Sequence, residues 1–283
     1  MNTDGWHFTG DVEDFLTGGG AFLRSRPAEH TTPLTVVEKL RTAGGADATV
    51  FGRLVRAGEV DAVLHLRPAH RLGVTRLSAE QADALAAELV GRGHTVPGIV
   101  ADHDTATAFA EAWRRYTGAA TAPRLRVRLH RLGALTPLER VVVGRTRVAG
   151  ERDHQQVVRW CGEFLDDIGE VPANSWADSR FADKVFTFWE TPDGTPVAMA
   201  ATTPMVAGMV RVDPVHTRSR FRGRGYGGAV TAEVSRAALA AGATDVVLYT
   251  DPANPTSNAL YRRIGYVPIA DFTGYDFSST SNA

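Results

Sequence analysis

The chain has 283 residues, of which 31 are basic, 32 are acidic and 43% are apolar. That length fits one large domain or two of ordinary size, and the composition is typical of a globular protein with a sizeable core. A net charge of -1 gives no overall field toward nucleic acid or an anionic membrane, so we expect neither as a partner.

The location of the protein is predicted from its cysteine content and its apolar runs. Cys161 is the only cysteine, which excludes an intrachain disulfide and fits a reducing compartment. It lies in a helical pattern without a paired base, so we expect a buried structural thiol rather than a nucleophile. Residues 1–15 lack the charged and apolar regions of a signal peptide, and no apolar run would span a bilayer. We therefore expect a cytoplasmic protein outside the membrane.

The first half of the chain alternates between strand and helix patterns. Ser78 and Gln81 have the spacing of a capping box, which predicts the start of a helix. The predicted elements, in chain order, are a mixed helical stretch 11–41, a hairpin of 48–55 and 61–68, strand 72–77, helix 79–93, strand 95–101, helix 104–118 and strand 124–132.

The second half repeats that order after a break at residues 133–140, which contain Gly133 and Pro137. The predicted elements are strand 141–148, helix 151–169, a shorter helix 175–185, a hairpin of 186–190 and 197–203, strand 208–217, helix 225–241, strand 245–250, helix 257–265 and extended residues 266–277. The repeated order predicts a structural duplication with domains 1–135 and 136–283. The fold class is α/β, of the α+β type with mixed sheets.

A glycine- and arginine-rich stretch, "RFRGRGYGGAV" at residues 220–230, connects a predicted strand to a predicted helix. The first N–H groups of a helix have no intrahelical partner, and the helix dipole favours an anion beside them. Glycine allows close approach of the backbone, while Arg222 and Arg224 can add charge-assisted hydrogen bonds. The stretch therefore predicts a phosphate or pyrophosphate site.

Two other phosphate motifs fit this stretch less well. A Walker A loop would end in Gly-Lys-Ser/Thr, which is missing here. Gly223, Gly225 and Gly228 have the spacing of the dinucleotide motif G-x-G-x-x-G. In that motif an acidic residue follows about 20 residues later, at the end of a strand, whereas Asp245 precedes its strand. We therefore disfavour a dinucleotide site.

The stretch also reads R-x-x-G-x-G, and "NPTSNALYRRIGY" follows it downstream. With these two motifs the sequence resembles the GCN5-related N-acetyltransferases over residues 147–277, most strongly over 210–266. The resemblance implies two tandem domains of that family, each a mostly antiparallel twisted sheet flanked by helices. Residues 72–85 lack the loop motif, so the first domain is expected to be degenerate. The motif residues are Arg222, Gly225, Gly227, Asn254, Tyr261, Gly265 and Tyr266.

The resemblance implies acetyl-coenzyme A as co-substrate, without a metal. Tyr261 would be the general acid for the leaving thiolate, and reference pKa values of about 10 for tyrosine and about 8.5 for an alkyl thiol allow that transfer. Ser257 shares its helix face and is expected to cap the helix. The splayed strand would pair with the pantetheine arm, and one of its N–H groups would polarise the thioester carbonyl. The expected cofactor-binding residues are Val215, His216, Thr217, Arg222, Gly223, Arg224, Gly225, Tyr226, Gly227, Gly228, Asn254 and Ser257.

The sequence offers several candidates for the general base and for the acceptor. Glu190 is the favoured base because it ends a strand, with Asp213 and His216 as alternatives. The acceptor would be a small-molecule amine or a peptide, and the protein a monomer or a homodimer. The main hypothesis is an N-acetyltransferase. The alternative is a non-catalytic acyl-CoA-binding sensor or scaffold, and a nucleotide- or DNA-binding protein is disfavoured by the near-zero net charge.

Overall fold

A computed structural model describes residues 4–43, 48–177 and 179–278. The strands are β1 (Gly5–Thr9), β2 (Val50–Arg56), β3 (Glu59–Leu66), β4 (Leu72–Val74), β5 (Gly98–Asp102), β6 (Ala120–Leu132), β7 (Arg145–Val148), β8 (Val185–Glu190), β9 (Pro196–Thr202), β10 (Met209–Thr217), β11 (Asp245–Thr250) and β12 (Tyr266–Ser278). The helices are α1 (Val12–Ser25), α2 (Thr31–Ala43), α3 (Ala79–Gly91), α4 (His103–Thr117), α5 (His154–Ile168), α6 (Tyr226–Ala240) and α7 (Pro255–Ile264).

The chain forms two compact units, and the first consists of Met1–Leu129 and Ile269–Ala283. Its strand order is β1-β2-β3-β4-β5, followed by β12 and β6. Strands β1 to β4 pair antiparallel, β4 and β5 pair parallel, and β12 pairs antiparallel with β5. Helices α3 and α4 supply Leu85, Leu89, Phe109 and Trp113 to one core cluster. The apolar positions of α3 and α4 thus form the faces that these helices bury against the sheet.

The second unit consists of His130–Pro268. Its strand order is β7-β8-β9-β10-β11, followed by the end of β6. The pairs from β7 to β10 are antiparallel, and β10 pairs parallel with β11. Helix α5 packs on a core cluster with Phe186 and Phe188, while α6 and α7 contribute to another cluster with Val210 and Val212. The predicted fold class, α/β with mostly antiparallel sheets flanked by helices, is confirmed.

The compact units differ from the predicted sequence domains 1–135 and 136–283. The difference arises because β12, the last strand, pairs with β5 and so belongs mainly to the first unit. Strands β6 and β12 each contribute residues to both units. The pattern of one strand does not specify its partner, because pairing depends on which edge is free in the folded chain.

Local signals predicted most helix starts well. The capping box forms as predicted, with the Ser78 hydroxyl accepting from the Gln81 N–H at 3.2 Å. The helix predicted from residue 104 begins one residue earlier, at His103, with Asp102 as its N-cap. The shorter helix predicted at 175–185 is wrong, because its described residues before β8 form turns.

Gly265 ends α7 with φ of +108°, and a Cβ there would overlap the carbonyl oxygen of Ala134. We predict that Gly265→Ala lowers the free energy of unfolding by about 2 kcal/mol or more, since steric overlap adds to the backbone strain. The matched control is Gly194→Ala. Gly194 has φ of +82° but nothing within 4 Å of a Cβ, so that variant should lose about 1 kcal/mol at most. Equal losses in denaturant titrations would contradict the steric explanation.

Candidate functional site

Strand β10 separates from β11 partway along its length. The two strands pair only over Met209–Arg211 and Asp245–Val247, although both continue further. Beyond that point β10 pairs only with β9, and the register shifts between Val212 and Val215. A bulge of this kind bends a strand and ends pairing on one side. The edge of β10 that faces β11 is therefore open from residue 212 onward.

The backbone groups on this open edge follow from the ladder with β9. The N–H of Arg218 donates to the carbonyl of Val197 at 3.3 Å, and hydrogen-bonded pairs alternate along an antiparallel ladder. With the observed register, His216 turns its backbone toward β9, whereas Val215 and Thr217 turn theirs to the open edge. The backbone groups of Val215 and the N–H of Thr217 are thus available to a ligand there, whereas the Thr217 carbonyl accepts from Arg222 and His216 faces β9.

The His216 side chain contacts two carboxylates of α5. Its Nε2 lies 3.0 Å from Oε2 of Glu163, and its Nδ1 lies 3.6 Å from Asp167. Burial lowers the pKa of His216, although both carboxylates act in the opposite direction. A ring that is 4% exposed and paired in this way is a structural group, so the geometry does not favour His216 as a base.

The glycine-rich loop leaves a run of backbone donors open. Gly223 and Gly225 have φ of +77° and +85°, which favour glycine. Gly225 is the N-cap of α6, and no side chain caps that helix. Among the described residues, no acceptor contacts the N–H groups of residues 223–228. Because these donors include the first turn of α6, the loop can bind an anion.

Gly227 allows α6 to begin close to the open strand. A Cβ on Gly227 would lie 3.1 Å from Oγ1 of Thr217, which is tighter than ordinary van der Waals contact. The helix N-terminus therefore lies next to the end of the open edge. This contact brings the N–H groups of the loop and the backbone groups of β10 into one site.

The two arginines of the R-x-x-G-x-G motif, Arg222 and Arg224, differ in their contacts. Arg222 donates through Nε to the carbonyl of Thr217 at 3.0 Å and through Nη2 to Asp167. Arg224 lies over the ring of Phe221, with Cζ 5.6 Å from the centroid, and no described carboxylate pairs with it. The guanidinium of Arg222 thus joins the loop to β10 and α5, and its binding of phosphate stays a prediction. Arg220, whose Cζ lies 4.8 Å from the same Phe221 ring, likewise pairs with no described carboxylate.

The start of α7 is held by asparagines. Asn254 is its N-cap, and its Oδ1 accepts from the Ser257 N–H at 3.1 Å. The prediction that Ser257 caps the helix is therefore wrong. Asn258 was missed by sequence reasoning. Its Nδ2 donates to the carbonyls of Asp251, Pro252 and Asn254, and its Oδ1 accepts from Thr250 at 2.7 Å. A second asparagine, four residues after the cap, was the signal available in the sequence.

Tyr261 lies in the core of the second unit and is 8% exposed. Its ring is 6.0 Å from that of Tyr266 in an edge-to-face arrangement. Burial raises the pKa of Tyr261, and the charge of Asp213 raises it further. No described residue hydrogen-bonds its hydroxyl, whereas Tyr266 is bonded to Ser235 at 2.7 Å. Tyr261 therefore remains protonated at neutral pH, with its proton free to donate.

Glu190, the predicted base, belongs to an ion-pair cluster. Its Oε1 accepts from Nε of Arg147 at 2.6 Å, and its Oε2 lies 3.7 Å from Arg145. Arg147 also pairs with Asp153 at 2.7 Å and, with burial acting against it, lowers the pKa of that carboxyl to about 2. Because Glu190 is 4% exposed and both its oxygens face arginines, the geometry favours a structural role.

Asp213, the other alternative base, is paired with Lys184 and Arg180. Burial alone would raise its pKa, but these cations outweigh burial and hold it below its usual range. Sequence reasoning missed Lys184 and Arg180, which lie about 30 residues from Asp213 with no motif between them. None of the three candidate bases is thus free of a charged partner.

The first unit lacks a comparable site at the start of α3, which occupies the position of α6. There the Ser78 side chain caps the helix, and the Leu77 N–H donates to Oγ1 of Thr105 at 2.8 Å. Side chains thus accept from the N–H groups of Leu77, Ser78 and Gln81 at the start of α3.

Two general features bear on the class of site. Within the described ranges, no three or more His, Cys, Asp or Glu side chains are grouped so as to hold a metal ion. None of the described helices combines the length and the apolar character needed to cross a bilayer.

Comparisons with known proteins identify the fold. Residues 198–273 match the family model described as FR47-like protein, and no curated protein matches the sequence. A GCN5-related N-acetyltransferase structure from Kribbella flavida is 20% identical, with 90% of this chain and 95% of that chain covered and a TM-score of 0.55. One from Sphaerobacter thermophilus is 17% identical, with 97% and 96% covered and a TM-score of 0.56.

A tandem GNAT protein from the clavulanic acid biosynthesis pathway is 14% identical. The comparison covers 98% of this chain and 99% of that chain, with a TM-score of 0.60. At these identities the likeness shows the fold, and the tandem arrangement predicted from the sequence is confirmed.

The reactivity of the Cys161 thiol tests whether reagents in solvent reach the side of the sheet that α5 covers. Burial raises the pKa of its thiol to about 12, so about one molecule in 10⁴ carries the thiolate at pH 8. We predict that iodoacetamide does not label the native protein on a timescale of minutes and labels one thiol once guanidinium chloride unfolds it. Mass spectrometry measures the labelling over time. Rapid labelling of the native protein would contradict a buried structural role for Cys161.

Proposed function

We propose that this chain, which belongs by fold to the GCN5-related N-acetyltransferase superfamily, transfers an acetyl group from acetyl-coenzyme A to a primary amine. One observation carries the proposal. In the second unit an open strand edge lies beside an uncapped helix N-terminus, so that unpaired backbone groups face a ligand at both places. Coenzyme A has the matching chemistry, with a diphosphate next to a chain of amides.

The open groups divide between the two parts of such a ligand. The N–H groups of residues 223–228 and the free guanidinium of Arg224 would hold the diphosphate. The backbone groups of Val215 and the N–H of Thr217 would bond to the amide arm as an added strand does. The side-chain N–H₂ of Asn254 is left free by the capping contact and would reach the same arm.

Bound acetyl-coenzyme A supplies an activated thioester. A backbone N–H on the open edge of β10, at Val215 or Thr217, would polarise the carbonyl oxygen. Tyr261 would donate the proton of its hydroxyl oxygen to the leaving sulfur, since the raised pKa keeps that proton in place until a thiolate forms. Burial of the tyrosine also keeps water from competing for this proton.

Glu190, Asp213 and His216 all have charged partners, so the acceptor amine would lose its proton to water before it attacks. This same observation favours a second candidate function, a non-catalytic acyl-CoA-binding sensor or scaffold. The sensor would use the cofactor loop in the same way but would release no free thiol with any amine.

We predict opposite effects for two neighbouring tyrosines. Tyr261→Phe removes a hydroxyl that has no partner among the described residues, so it should leave the melting temperature unchanged but lower kcat about 100-fold. Tyr266→Phe breaks the hydrogen bond to Ser235, so it should cost about 1 kcal/mol of stability and leave kcat unchanged. The measurement is thiol release from acetyl-coenzyme A with a panel of primary amines, together with thermal unfolding.

The outcomes separate the hypotheses. Full activity of Tyr261→Phe with every accepted amine would remove the general-acid assignment. Tight binding of acetyl-coenzyme A without acetylation of any amine in the panel would favour the sensor. Absence of binding would contradict both functions.

We predict one coenzyme A per chain, because α3 is capped by Ser78 whereas α6 is uncapped. Isothermal titration of the full chain measures this stoichiometry directly. A value of two would mean that the first unit binds the coenzyme despite its closed helix start. The control is Ser78→Ala, which should destabilise α3 by about 1 kcal/mol without adding a second site, since the loop before it lacks glycines.

A further inference from the structure

We propose that Lys184 and Arg180 are positioning residues that hold β10 at its bend through Asp213, and thereby keep the ligand edge of the strand open. The inference rests on the proposed function for its ligand, acetyl-coenzyme A. It concerns residues that contribute no group to the reaction itself.

The bend and the ion pairs coincide. Asp213 lies inside the register shift of β10, two residues after Arg211, the last residue that pairs with β11. One oxygen of Asp213 accepts from Nζ of Lys184, and the other accepts from Nη2 of Arg180 at 3.0 Å. The Lys184 side chain is 2% exposed and that of Asp213 is 20% exposed. Both oxygens of the carboxylate are thus engaged at the point where the two strands part.

The two cations are themselves anchored on the α5 side of the sheet. Lys184 and Arg180 both lie 5.1 Å from the centroid of the Phe181 ring, which is fully buried in the cluster with α5. Arg180 also pairs with Glu170, just beyond the end of α5, at 2.9 Å. The bend of β10 is therefore tied to a rigid core rather than to a mobile surface.

The ion pairs of Asp213 set the side to which β10 turns its backbone groups, and they add little to the free energy of unfolding. A buried ion pair stabilises little, because desolvation offsets the attraction between the charges, and well-packed neutral residues often replace it without loss. A strand whose register slips by one residue turns every backbone group to the opposite side. With Asp213 held on the α5 side, Val215 and Thr217 keep their backbone groups on the open edge.

The charged and titratable groups around Lys184 come from several elements. Arg180 lies in its own segment, Asp213 and Arg211 in β10, and Cys161 in α5, while Tyr261 of α7 lies in the field of Asp213. Burial lowers the pKa of Lys184 to about 8, against the attraction of Asp213. The hold on Asp213 is therefore strongest below this pH and weakens above it.

The pH dependence of stability follows from the lowered pKa of Lys184 alone, whereas the pH dependence of ligand affinity depends on its positioning role. In the unfolded chain a lysine titrates near about 10.4, so between about pH 8 and that value the unfolded state binds more protons than the folded state. Lys184 therefore makes the protein more stable as the pH rises through this window. Affinity for acetyl-coenzyme A should fall over the same window, because the bend is held less firmly.

The first test removes the charges of Lys184 and Asp213 together, in the variant Lys184→Met/Asp213→Asn. The matched control is Arg131→Met/Asp245→Asn, an ion pair at the start of β11 that lies outside the bend. We expect the bend variant to keep its melting temperature to within about 3 °C but to bind acetyl-coenzyme A about tenfold more weakly by calorimetry. In the absence of ligand, the backbone amide hydrogens within residues 212–217 of this variant should exchange with deuterium faster than those of the wild type. The control variant should change neither affinity nor exchange.

A stable bend variant with unchanged affinity and unchanged exchange would overturn the proposal. If that variant does not fold, the wild type and Lys184→Arg decide the question through their affinities for acetyl-coenzyme A at pH 7 and pH 9. We expect about tenfold weakening in the wild type only, since arginine keeps its charge at both values. Equal weakening in both, or none in either, would overturn it. A wild type that binds no acetyl-coenzyme A contradicts the proposed function, while deuterium exchange still tests the positioning role.

Discussion

The parting of β10 from β11 is the feature on which the rest of the candidate site depends. Parallel strands in a sheet satisfy each other's backbone groups, and buried groups without a partner are costly. By bending at Asp213, β10 gives up that pairing beyond Arg211 and keeps β9 on its other side. The sheet thus remains intact on one side while it presents a row of backbone groups on the other. A ligand with amides can pair with such a row as a strand would.

The glycine loop extends this edge with donors of another kind. Gly227 brings the start of α6 against Thr217, so the strand ends where the helix dipole begins. Arg222 fixes this junction by bonding the Thr217 carbonyl and Asp167. An arginine in a glycine-rich loop can therefore act by shaping the loop, whereas Arg224 has no described carboxylate partner. The two arginines have the same chemistry and differ only in what the fold brings within reach.

The two units show how small a change closes such a site. Both place a helix after a strand that pairs in parallel with the next strand. In the first unit the Ser78 hydroxyl accepts from the Gln81 N–H, and the Thr105 side chain accepts from the Leu77 N–H. In the second unit Gly225 takes the N-cap position, and no side chain accepts from the first turn of α6. The difference lies in a few side chains, so related folds can carry a ligand site or lack one.

The sequence by itself determined the local features of the protein: most of its helices and strands, the Ser78 capping box, the glycine loop and the start of α6. These depend on residues within a few positions of each other, so their spacing is visible along the chain. It also pointed to Tyr261, through the family resemblance of the motif that begins at Asn254. The cap at Asn254 rather than Ser257 was within its reach but was misread, since both residues are good caps.

Only the tertiary structure decided which charges meet. Glu190 pairs with Arg147, His216 with Glu163, and Asp213 with Lys184, each across 29 to 53 residues of chain. It also decided that β12 pairs with β5 and that β10 leaves β11 after Arg211. Partners of buried charges and strand edges are set by packing of segments far apart in sequence, and no local spacing encodes them. A carboxylate at a strand end therefore looks like a base in the sequence, and only the fold shows that two arginines already hold it.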